Sequence, residues 1–359
     1  MDEPAAPTLP PLPGASGGPA LPSVEELLAE AVAVTLPMRV PFRRTTERQA
    51  LLLRGPVGWA EFSPFPEYGP AESSRWLAAA VEAGWQGWPA PVRAEVPVNA
   101  TVPAVDAADV EGVLARYGEG ITAVKVKVAE HRTGGGLVAG SHSADLARVR
   151  RVRQLLPEAA IRVDANAGWT AAEAVAMLTE LADVGLEYAE QPVPGIRTLA
   201  RVRRMLRERG VATRIAADEA VRKETDPLAV AQADAADLIV VKVQPLGGVR
   251  RAAAIVEAAG LDAVVSSALD TSVGIAGGAA LAAHLPALPF ACGLGTVALF
   301  GHDVVSPPWR PAGGLLPAPG ERAPEPDPAL LARARQDAAG QRWWAERLCA
   351  AHAVLTAGG

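Results

Sequence analysis

The sequence is poor in cysteine and aromatic residues and has no excess of positive charge. Its 359 residues include two cysteines, and phenylalanine, tyrosine and tryptophan together make up 4%. Cys292 and Cys349 are too few for a disulfide framework or a thiolate metal site. Acidic residues number 40 and basic residues 34, which gives a net charge of −6. Because no basic stripe is present either, we expect no nucleic acid and no anionic membrane as the main partner.

Signals for export and membrane insertion are also missing. Residues 1–4 have neither the positive segment nor the apolar segment that opens a secretory signal. The most apolar stretch, residues 263–301, is interrupted by Asp270, His284 and two prolines, which is typical of a buried core and not of a membrane span. Half of the residues are hydrophobic and 21% are charged, as in globular proteins. We therefore expect a cytoplasmic protein with no membrane insertion.

Lysine is almost absent, whereas arginine is common. The basic residues comprise thirty arginines and four lysines, which are Lys125, Lys127, Lys223 and Lys242. Arginine stays protonated near neutral pH, but a partly buried lysine can become a base. Chance retention is the simpler explanation for any one lysine alone.

The hydrophobic pattern divides the chain into four parts. Residues 1–22 are mostly proline, alanine and glycine and predict a disordered tail that cannot bury a core. Residues 23–95 predict a small α+β capping domain, with paired strands and then a helix. Residues 96–306 alternate β-branched runs with helical segments and predict the catalytic domain. Residues 307–359 are rich in proline and then helical around 328–348, and we expect them to return to the capping domain.

The alternation in residues 96–306 predicts an α/β fold, a (β/α)8-type (TIM-like) barrel. Strands that alternate with helices pair in parallel through crossover helices. Eight such units in about 200 residues favour a closed barrel over an open sheet. The predicted strands lie near residues 96–101, 121–128, 160–165, 187–190, 213–218, 238–243, 262–267 and 289–293.

Polar residues end several of these strands in succession. Asp164, Glu190 and Asp218 are 26 and 28 residues apart, and Lys242 follows 24 residues later, so each lies about one βα unit after the last. The C-terminal rim of a barrel is where active sites lie. A single acid would more simply cap a helix or pair with an arginine. Three acids in register with the repeat instead predict a hard cation between them, Mg²⁺ or Mn²⁺ as a substitute.

The lysines complete this arrangement. Lys125 and Lys127 are two residues apart on a strand and so share a face. Two ammonium groups and a nearby cation would lower the pKa of one lysine towards neutrality. Lys242 arrives from the far side of the barrel. A metal with opposed lysines suits removal of a proton next to a carboxylate.

These motifs resemble the muconate-lactonising branch of the enolase superfamily. The motifs are Lys-x-Lys at 125–127, Asp-x-Asn at 164–166, Glu-Gln-Pro at 190–192, Asp-Glu at 218–219 and the sixth-strand Lys242. The resemblance covers nearly the whole chain. Within the branch, residues 54–65, 266–274 and 291–296 are most similar to the actinobacterial dehydratases of menaquinone biosynthesis.

The resemblance implies a reaction and a role for each site residue. The reaction is the syn-dehydration of 2-succinyl-6-hydroxy-2,4-cyclohexadiene-1-carboxylate to 2-succinylbenzoate, through proton abstraction by a lysine and a metal-stabilised enediolate. Lys127 would be the base and then the acid that releases hydroxide, and Lys242 would stabilise the anion from the opposite face. Mg²⁺ would be held by Asp164, Glu190 and Asp218. Support or substrate binding would come from Lys125, Arg162, Asn166, Ser266, Ser267 and the backbone at Gly293. The expected partner is this small carboxylate; we expect a monomer, with a homo-oligomer left open.

Related activities use the same acid–base groups. Racemisation of N-succinylamino acids needs only the two opposed lysines and is the main alternative. Dipeptide epimerases typically carry Asp-x-Asp after strand eight, where this chain has Gly-Leu-Gly at 293–295. Mandelate-racemase-type enzymes use a strand-seven histidine, where Ser266 and Ser267 stand. A catalytically inactive barrel that serves as a binding scaffold is the remaining alternative, and a bound-metal assay would test it.

Overall fold

The N-terminal part of the chain forms a three-stranded antiparallel sheet followed by a helix. The computed structural model describes residues 9–42, 45–130, 140–221 and 226–358. The sheet has the order β1-β2-β3. Its elements are α1 (Val24–Leu28), β1 (Val32–Phe42), β2 (Thr45–Arg54), β3 (Trp59–Phe62) and α2 (Pro70–Val81). We call these five elements the cap. Ser23 and Glu26 form a capping box that starts α1, and Pro70 starts α2, where its missing N–H costs no hydrogen bond.

Seven parallel strands form the barrel sheet, in the order β11 to β5. They are short runs of valine, isoleucine and alanine, almost entirely buried, as expected for parallel strands covered by helices. The strands are β5 (Ala100–Val102), β6 (Ala123–Lys127), β7 (Ala160–Asp164), β8 (Leu186–Glu190), β9 (Arg214–Ala217), β10 (Leu238–Val241) and β11 (Asp262–Val265). The helices around them are α3 (Val110–Leu114), α4 (Ser141–Leu155), α5 (Ala171–Glu180), α6 (Ile196–Glu208), α7 (Asp226–Gln232), α8 (Val243–Leu246), α9 (Val249–Ala259) and α10 (Ser272–His284). The predicted (β/α)8-type, TIM-like fold is confirmed.

The eighth barrel segment is present as two isolated bridges and not as a full strand. Cys292 bridges to Val98 and Gly293 to Ser266, both in parallel. The N–H of Cys292 donates to the carbonyl of Pro97 (2.7 Å), and the N–H of Gly293 donates to the carbonyl of Val265 (2.8 Å). Residues 292 and 293 therefore connect the last strand of the sheet with the segment that enters the first, which closes the barrel.

Two predicted elements are divided in the structure. The predicted strand at 96–101 becomes β4 (Glu95–Pro97) and β5, and β4 pairs antiparallel with β12 (Leu315–Pro317). The predicted helix at 328–348 becomes α11 (Pro328–Ala334) and α12 (Ala338–Thr356). The break falls at Arg335, which has extended ψ, and Asp337 caps the second helix. Val98 and Asn99, between β4 and β5, are buried, so burial continues through the first break. At the second break Ala334 is buried and residues 335–339 are not.

The C-terminal helix packs on the cap. Trp344 of α12 is fully buried and meets the ring of Phe62 edge-on, with 6.0 Å between ring centroids. The side chain of Gln341 accepts from the N–H of Ala33 (2.9 Å) and donates to its carbonyl (2.8 Å). This amide pairs with the edge of β1 as a neighbouring strand would.

The prediction that residues 1–22 form a tail without packing contacts is wrong for residues 9–22. Pro13 is buried, and Leu9, Leu12 and Leu21 pack against the main core. The carbonyl of Pro10 accepts from Arg251 of α9, and that of Pro22 accepts from His352 of α12 at 2.9 Å. The segment is too short to build a core, but its leucines and prolines cover apolar surface that the helices leave open.

Deletion of residues 1–20 should therefore destabilise the protein. Loss of the partly buried leucines exposes apolar surface on α9 and α12, and we expect the Tm to fall by at least about 2 °C, or about 1 kcal/mol. Thermal unfolding followed by circular dichroism measures this. An unchanged Tm would mean that the segment contributes nothing to stability.

Candidate active site

The carboxyl ends of five consecutive barrel strands bring together the six charged residues that the sequence predicts. Lys125 and Lys127 lie in β6, and Asp164 and Glu190 end β7 and β8. Asp218 directly follows β9, and Lys242 directly follows β10. In the parallel register, Lys127 stands beside Asp164 and Asp164 beside Glu190. The six residues are Lys125, Lys127, Asp164, Glu190, Asp218 and Lys242, and all but Lys242 are less than 9% exposed. We call them the acid–lysine cluster.

Each carboxylate of the cluster pairs with an ammonium group. Lys125 Nζ lies 3.1 and 3.0 Å from the two carboxylate oxygens of Glu190 and 3.6 Å from Asp164 Oδ2. Lys127 Nζ pairs with Asp164 and donates to Asn166 Oδ1 at 2.7 Å.

Lys242 makes the third pair, with Asp218. Three negative and three positive groups therefore share the buried end of the barrel, and their charges balance.

Burial and mutual repulsion perturb the acids of the cluster. The pKa of Glu190 is raised to about 8, first by burial and then by the negative charge of Asp164, although Lys125 opposes the shift. For Lys125, burial lowers the pKa, but attraction to Glu190 and Asp164 outweighs it, so the pKa is raised. Among the protein's own charges the pKa of Lys125 is thus raised, whereas the expectation of a lowered pKa concerned one lysine beside a bound cation and stays a prediction. Lys125 is a permanent cation, which suits it for charge stabilisation and not for proton removal.

The oxygen donors of the cluster suit a hard divalent cation, although they do not form a preformed cage. Within the described residues, no three His, Cys, Asp or Glu side chains are grouped so that they could hold a metal ion, because each carboxylate is turned to a lysine. Carboxylate and amide oxygens are the ligands that Mg²⁺ accepts. Burial, with the negative charge of Asp164, raises the pKa of Glu190, and a cation beside this carboxylate would favour its ionised form. The residues thus fit such an ion once the carboxylates turn from the ammonium groups towards it.

Two polar residues that follow β7 and β8 hold the acids in place. Asn166, in the left-handed region with φ +45°, donates its N–H to Asp164 Oδ1 at 3.0 Å. Gln191, at φ +37°, accepts the N–H of Asp218 (2.9 Å) and that of Ala220 (3.1 Å) on its side-chain oxygen. Sequence reasoning gave Gln191 no role, although its position directly after Glu190 in the Glu-Gln-Pro motif is the signal that could have found it.

The predicted substrate-binding serines line the same cavity as the cluster. Ser266, Ser267 and Gly293 all lie in its wall. The hydroxyl of Ser267 hydrogen-bonds to that of Thr296 (2.7 Å), and Thr296 is a further cavity residue that the sequence did not single out. A Cβ at Gly293 would lie 2.5 Å from Ser266 Oγ, so only glycine fits there.

The backbone of Gly293 is already used in closing the barrel. Its N–H donates to Val265, and its carbonyl accepts from the N–H of Ser267 at 3.0 Å. Its N–H is thus engaged within the barrel, and a role of this backbone in holding the substrate stays a prediction.

Arg162 lies one layer below the cluster. Its guanidinium donates to Asn99 Oδ1 (3.2 Å) and the hydroxyl of Tyr188 (3.2 Å), and it forms an ion pair with Glu187 (2.7 Å). It also lies over the Tyr188 ring, 4.9 Å from the centroid. Its guanidinium also donates to the carbonyl of Ala291 at 2.5 Å. In the part of the chain that the structure describes, Arg162 of β7 thus joins Asn99, β8 and the closing segment at Ala291 below the acids, and the predicted direct support of the acids is not seen. Arg162 faces the barrel interior two residues before Asp164, which puts it deeper by one layer.

A larger cavity lies between the cap and the barrel. Phe65, Tyr68 and Trp76 line it from the cap, whereas Asp218 and Lys242 line it from the barrel. It holds about 950 Å³ of space open to solvent and shares Asp218, Lys242 and Ala268 with the smaller cavity around the cluster.

Family models match both parts of the chain. The family described as "Enolase C-terminal domain-like" matches residues 107–323, and "Enolase N-terminal domain-like" matches residues 33–84. Among solved structures, 2-chloromuconate cycloisomerase from Rhodococcus opacus 1CP has a TM-score of 0.70 at 25% identity, over 86% of this chain and 98% of that one. Among the described residues, no helix has the length and apolar character needed to cross a membrane.

Two proteins named o-succinylbenzoate synthase are much more similar in sequence. The one from Thermobifida fusca is 48% identical over 323 residues, which cover 90% of this chain and 96% of that protein. The one from Mycolicibacterium smegmatis is 46% identical over 338 residues, or 93% and 99% of the two chains. An enolase-superfamily fold implies a divalent metal in the site. By this identity over nearly its whole length, the chain belongs to the o-succinylbenzoate synthase family of the enolase superfamily.

Proposed function

We propose that the chain is an o-succinylbenzoate synthase, a hydro-lyase that converts 2-succinyl-6-hydroxy-2,4-cyclohexadiene-1-carboxylate to 2-succinylbenzoate in menaquinone biosynthesis. The observation that carries this is the pair Lys127 and Lys242, each held on a carboxylate at the mouth of one cavity. Lys127 ends β6 and Lys242 follows β10. The two strands are four apart in an eight-unit barrel, so the two lysines face each other across the site. The names of the relatives supply the substrate.

In this proposal Lys127 moves the proton. As a neutral amine it removes the α-proton of the ring carbon that bears the carboxylate, and the C–H electrons pass into that carboxylate as an enediolate. The new ammonium group then protonates the hydroxyl on the same face. The C–O bond breaks, water leaves and the ring becomes aromatic.

The other groups of the site stabilise charge and orient the substrate. Lys242 stays protonated on the opposite face, and Lys125 stays protonated beside Glu190, so both stabilise the developing negative charge. Mg²⁺, with Mn²⁺ as a substitute, would be held by Asp164, Glu190 and Asp218 and would supply positive charge beside the ring carboxylate. Ser266 and Ser267, which line the same cavity, would hold the succinyl chain through their hydroxyls.

The reaction is tested by adding the cyclohexadiene substrate and Mg²⁺ and following the loss of its ultraviolet absorbance. A parallel incubation follows racemisation of N-succinylamino acids, which would use the same two lysines. Dehydration at a catalytic rate supports the proposal. Racemisation without dehydration would replace it by the racemase activity.

Lys127→Arg should abolish most of the turnover. The guanidinium keeps the charge that pairs with Asp164 but cannot lose its proton at a working pH. A general base contributes about 10²–10⁴-fold and the same group also acts as the acid, so we expect a loss of at least about 10³-fold in kcat. Steady-state kinetics measure this, and circular dichroism checks the fold.

Lys223→Arg is the matched control, because Lys223 is the fourth lysine and belongs to none of the strand-end motifs; it lies outside the described residues. This variant should keep the wild-type turnover, and Lys125→Arg should lie between the two. If Lys127→Arg kept more than about a tenth of the turnover, Lys127 would not be the base and Lys242 would become the candidate.

Mg²⁺ should stabilise the metal-free protein more at about pH 8.5 than at about pH 6. Folding raises the pKa of Glu190 from its ordinary 4.5 to about 8, so at pH 6 the folded protein carries a proton there that the cation must displace. For the same reason, Glu190 makes the metal-free protein less stable as pH rises from about 4.5 through 8. Thermal unfolding after EDTA treatment, with and without MgCl₂, measures the shift.

Glu190→Gln is the control for this pH dependence. The amide keeps the side-chain volume but has neither the charge nor the titration, so the Mg²⁺-induced shift in Tm should be small at both pH values. Equal shifts for the wild-type protein at both pH values would argue against Glu190 as a metal ligand.

A further inference from the structure

A buried glutamate of the cap binds the first turn of α10 in the barrel. Glu61 of β3 accepts the N–H of Thr271 (3.0 Å), the hydroxyl of Thr271 (2.6 Å) and the N–H of Gly274 (3.2 Å) on Oε2. A Cβ at Gly274 would lie 2.7 Å from that oxygen, so glycine makes the approach possible. The carboxylate thus satisfies helix N–H groups that would otherwise be buried without a partner.

Arg48 of β2 extends this contact to the loop before the helix. Its Nε donates to the carbonyl of Leu269 at 3.1 Å, and its Nη2 donates to Ser63 Oγ at 3.0 Å. The hydroxyl of Ser63 in turn donates to Glu61 Oε1 at 2.6 Å. Arg48 is 2% exposed and lies 4.4 Å from the centroid of the Phe65 ring. Arg48 and Glu61 therefore act as one buried unit.

The loop that this unit holds has a conformation that needs support from outside. Leu269 has φ +63°, a region that non-glycine residues adopt rarely and keep only where their surroundings hold them. Arg48 binds its carbonyl, while its side chain packs against Leu299 and, from the cap, Met38. Within the loop, the N–H of Ala268 donates to Asp270 Oδ2 at 3.1 Å.

The same loop forms one wall of the site. Ser266, Ser267, Ala268 and Leu269 all line the cavity that contains the acid–lysine cluster. We infer that Arg48 and Glu61 are positioning residues, which set the place of the substrate-facing loop 266–270 from the cap. The inference rests on the proposed function only in taking this loop to contact the succinyl chain.

Glu82 provides a matched comparison for a purely structural role. It is also a buried cap glutamate, and its carboxylate accepts from the N–H groups of Val249 and Arg250 at the start of α9. Gly248, at φ +125°, leaves it room. The helix that Glu82 caps is separated from Lys242 by α8. None of residues 243–248 before it lines the cavity that contains the acid–lysine cluster. Replacement of either carboxylate should thus lower the free energy of unfolding by a similar amount. Only replacement of Glu61 should also weaken substrate binding.

Glu61→Gln and Glu82→Gln are compared in full-length protein loaded with Mg²⁺. In Glu82→Gln the amide nitrogen meets a backbone N–H in either orientation. In Glu61→Gln the amide oxygen can still accept from Thr271 and Gly274, but the nitrogen then replaces the oxygen that accepts from Ser63, and the negative charge is lost. Both variants should therefore lose stability. For Glu61→Gln we expect KM for the cyclohexadiene substrate to rise about tenfold, with kcat less affected. For Glu82→Gln we expect KM within about twofold of wild type. Backbone hydrogen exchange should become faster in residues 266–270 only in Glu61→Gln.

Equal KM values in the two variants, with unchanged exchange in residues 266–270, would overturn the inference. Arg48→Lys covers the case in which Glu61→Gln does not fold, because lysine keeps the charge but cannot span Leu269 and Ser63 as the guanidinium does. It should raise KM and speed exchange in the same residues, and wild-type values of both would again overturn the inference. If the wild-type protein did not dehydrate the substrate, the proposed function would fail, whereas hydrogen exchange would still decide the positioning role.

Discussion

The balance of charge at the carboxyl ends of the barrel strands is the constraint on which the site depends. Three carboxylates buried together repel and are costly to keep ionised unless cations compensate them. Lys125, Lys127 and Lys242 supply three positive charges at hydrogen-bonding range. Any divalent ion that enters adds to this balance, so metal binding and the protonation of the lysines are coupled. Under the proposed function, such coupling would let the same residues hold a cation and leave one lysine neutral, as a base.

The sequence predicted the barrel and the cluster because both depend on periodicity. Acids that recur once per βα unit must reach the same rim, whatever the details of packing. That spacing does not determine the distances between side chains on neighbouring strands. Lys125 pairs with Glu190, which raises the pKa of Lys125, and this pairing depends on side-chain rotamers. Gln191 accepts hydrogen bonds from the backbone after β9, and these depend on the conformation of the loop. The depth of Arg162 was predictable, since side chains two residues apart on a strand share a face at successive levels.

The disordered tail predicted from composition is wrong for residues 9–22 for a physical reason. Residues 9–22 cannot form a core of their own, and composition alone measures only that. Leu12 instead lines a small cavity with Arg251 of α9 and Leu355 of α12, and Leu21 packs against the main core. Similarly, no local pattern identifies Glu61 or Glu82 as a helix cap, because the N–H groups that they bind lie 210 and 167 residues further along the chain.

Cys292 lies at the bridge that closes the barrel, so the reactivity of its thiol reports opening of the barrel there. Burial raises the pKa of this thiol to about 12, so in the closed barrel it is protonated and shielded from solvent, and a thiol reagent reaches it only when residues 292–293 separate from their neighbours. The other cysteine, Cys349, is exposed and can be replaced by serine on the outer surface of α12. In that background, the rate of thiol labelling reports how readily the barrel opens at residues 292–293, where single bridges stand in place of a strand.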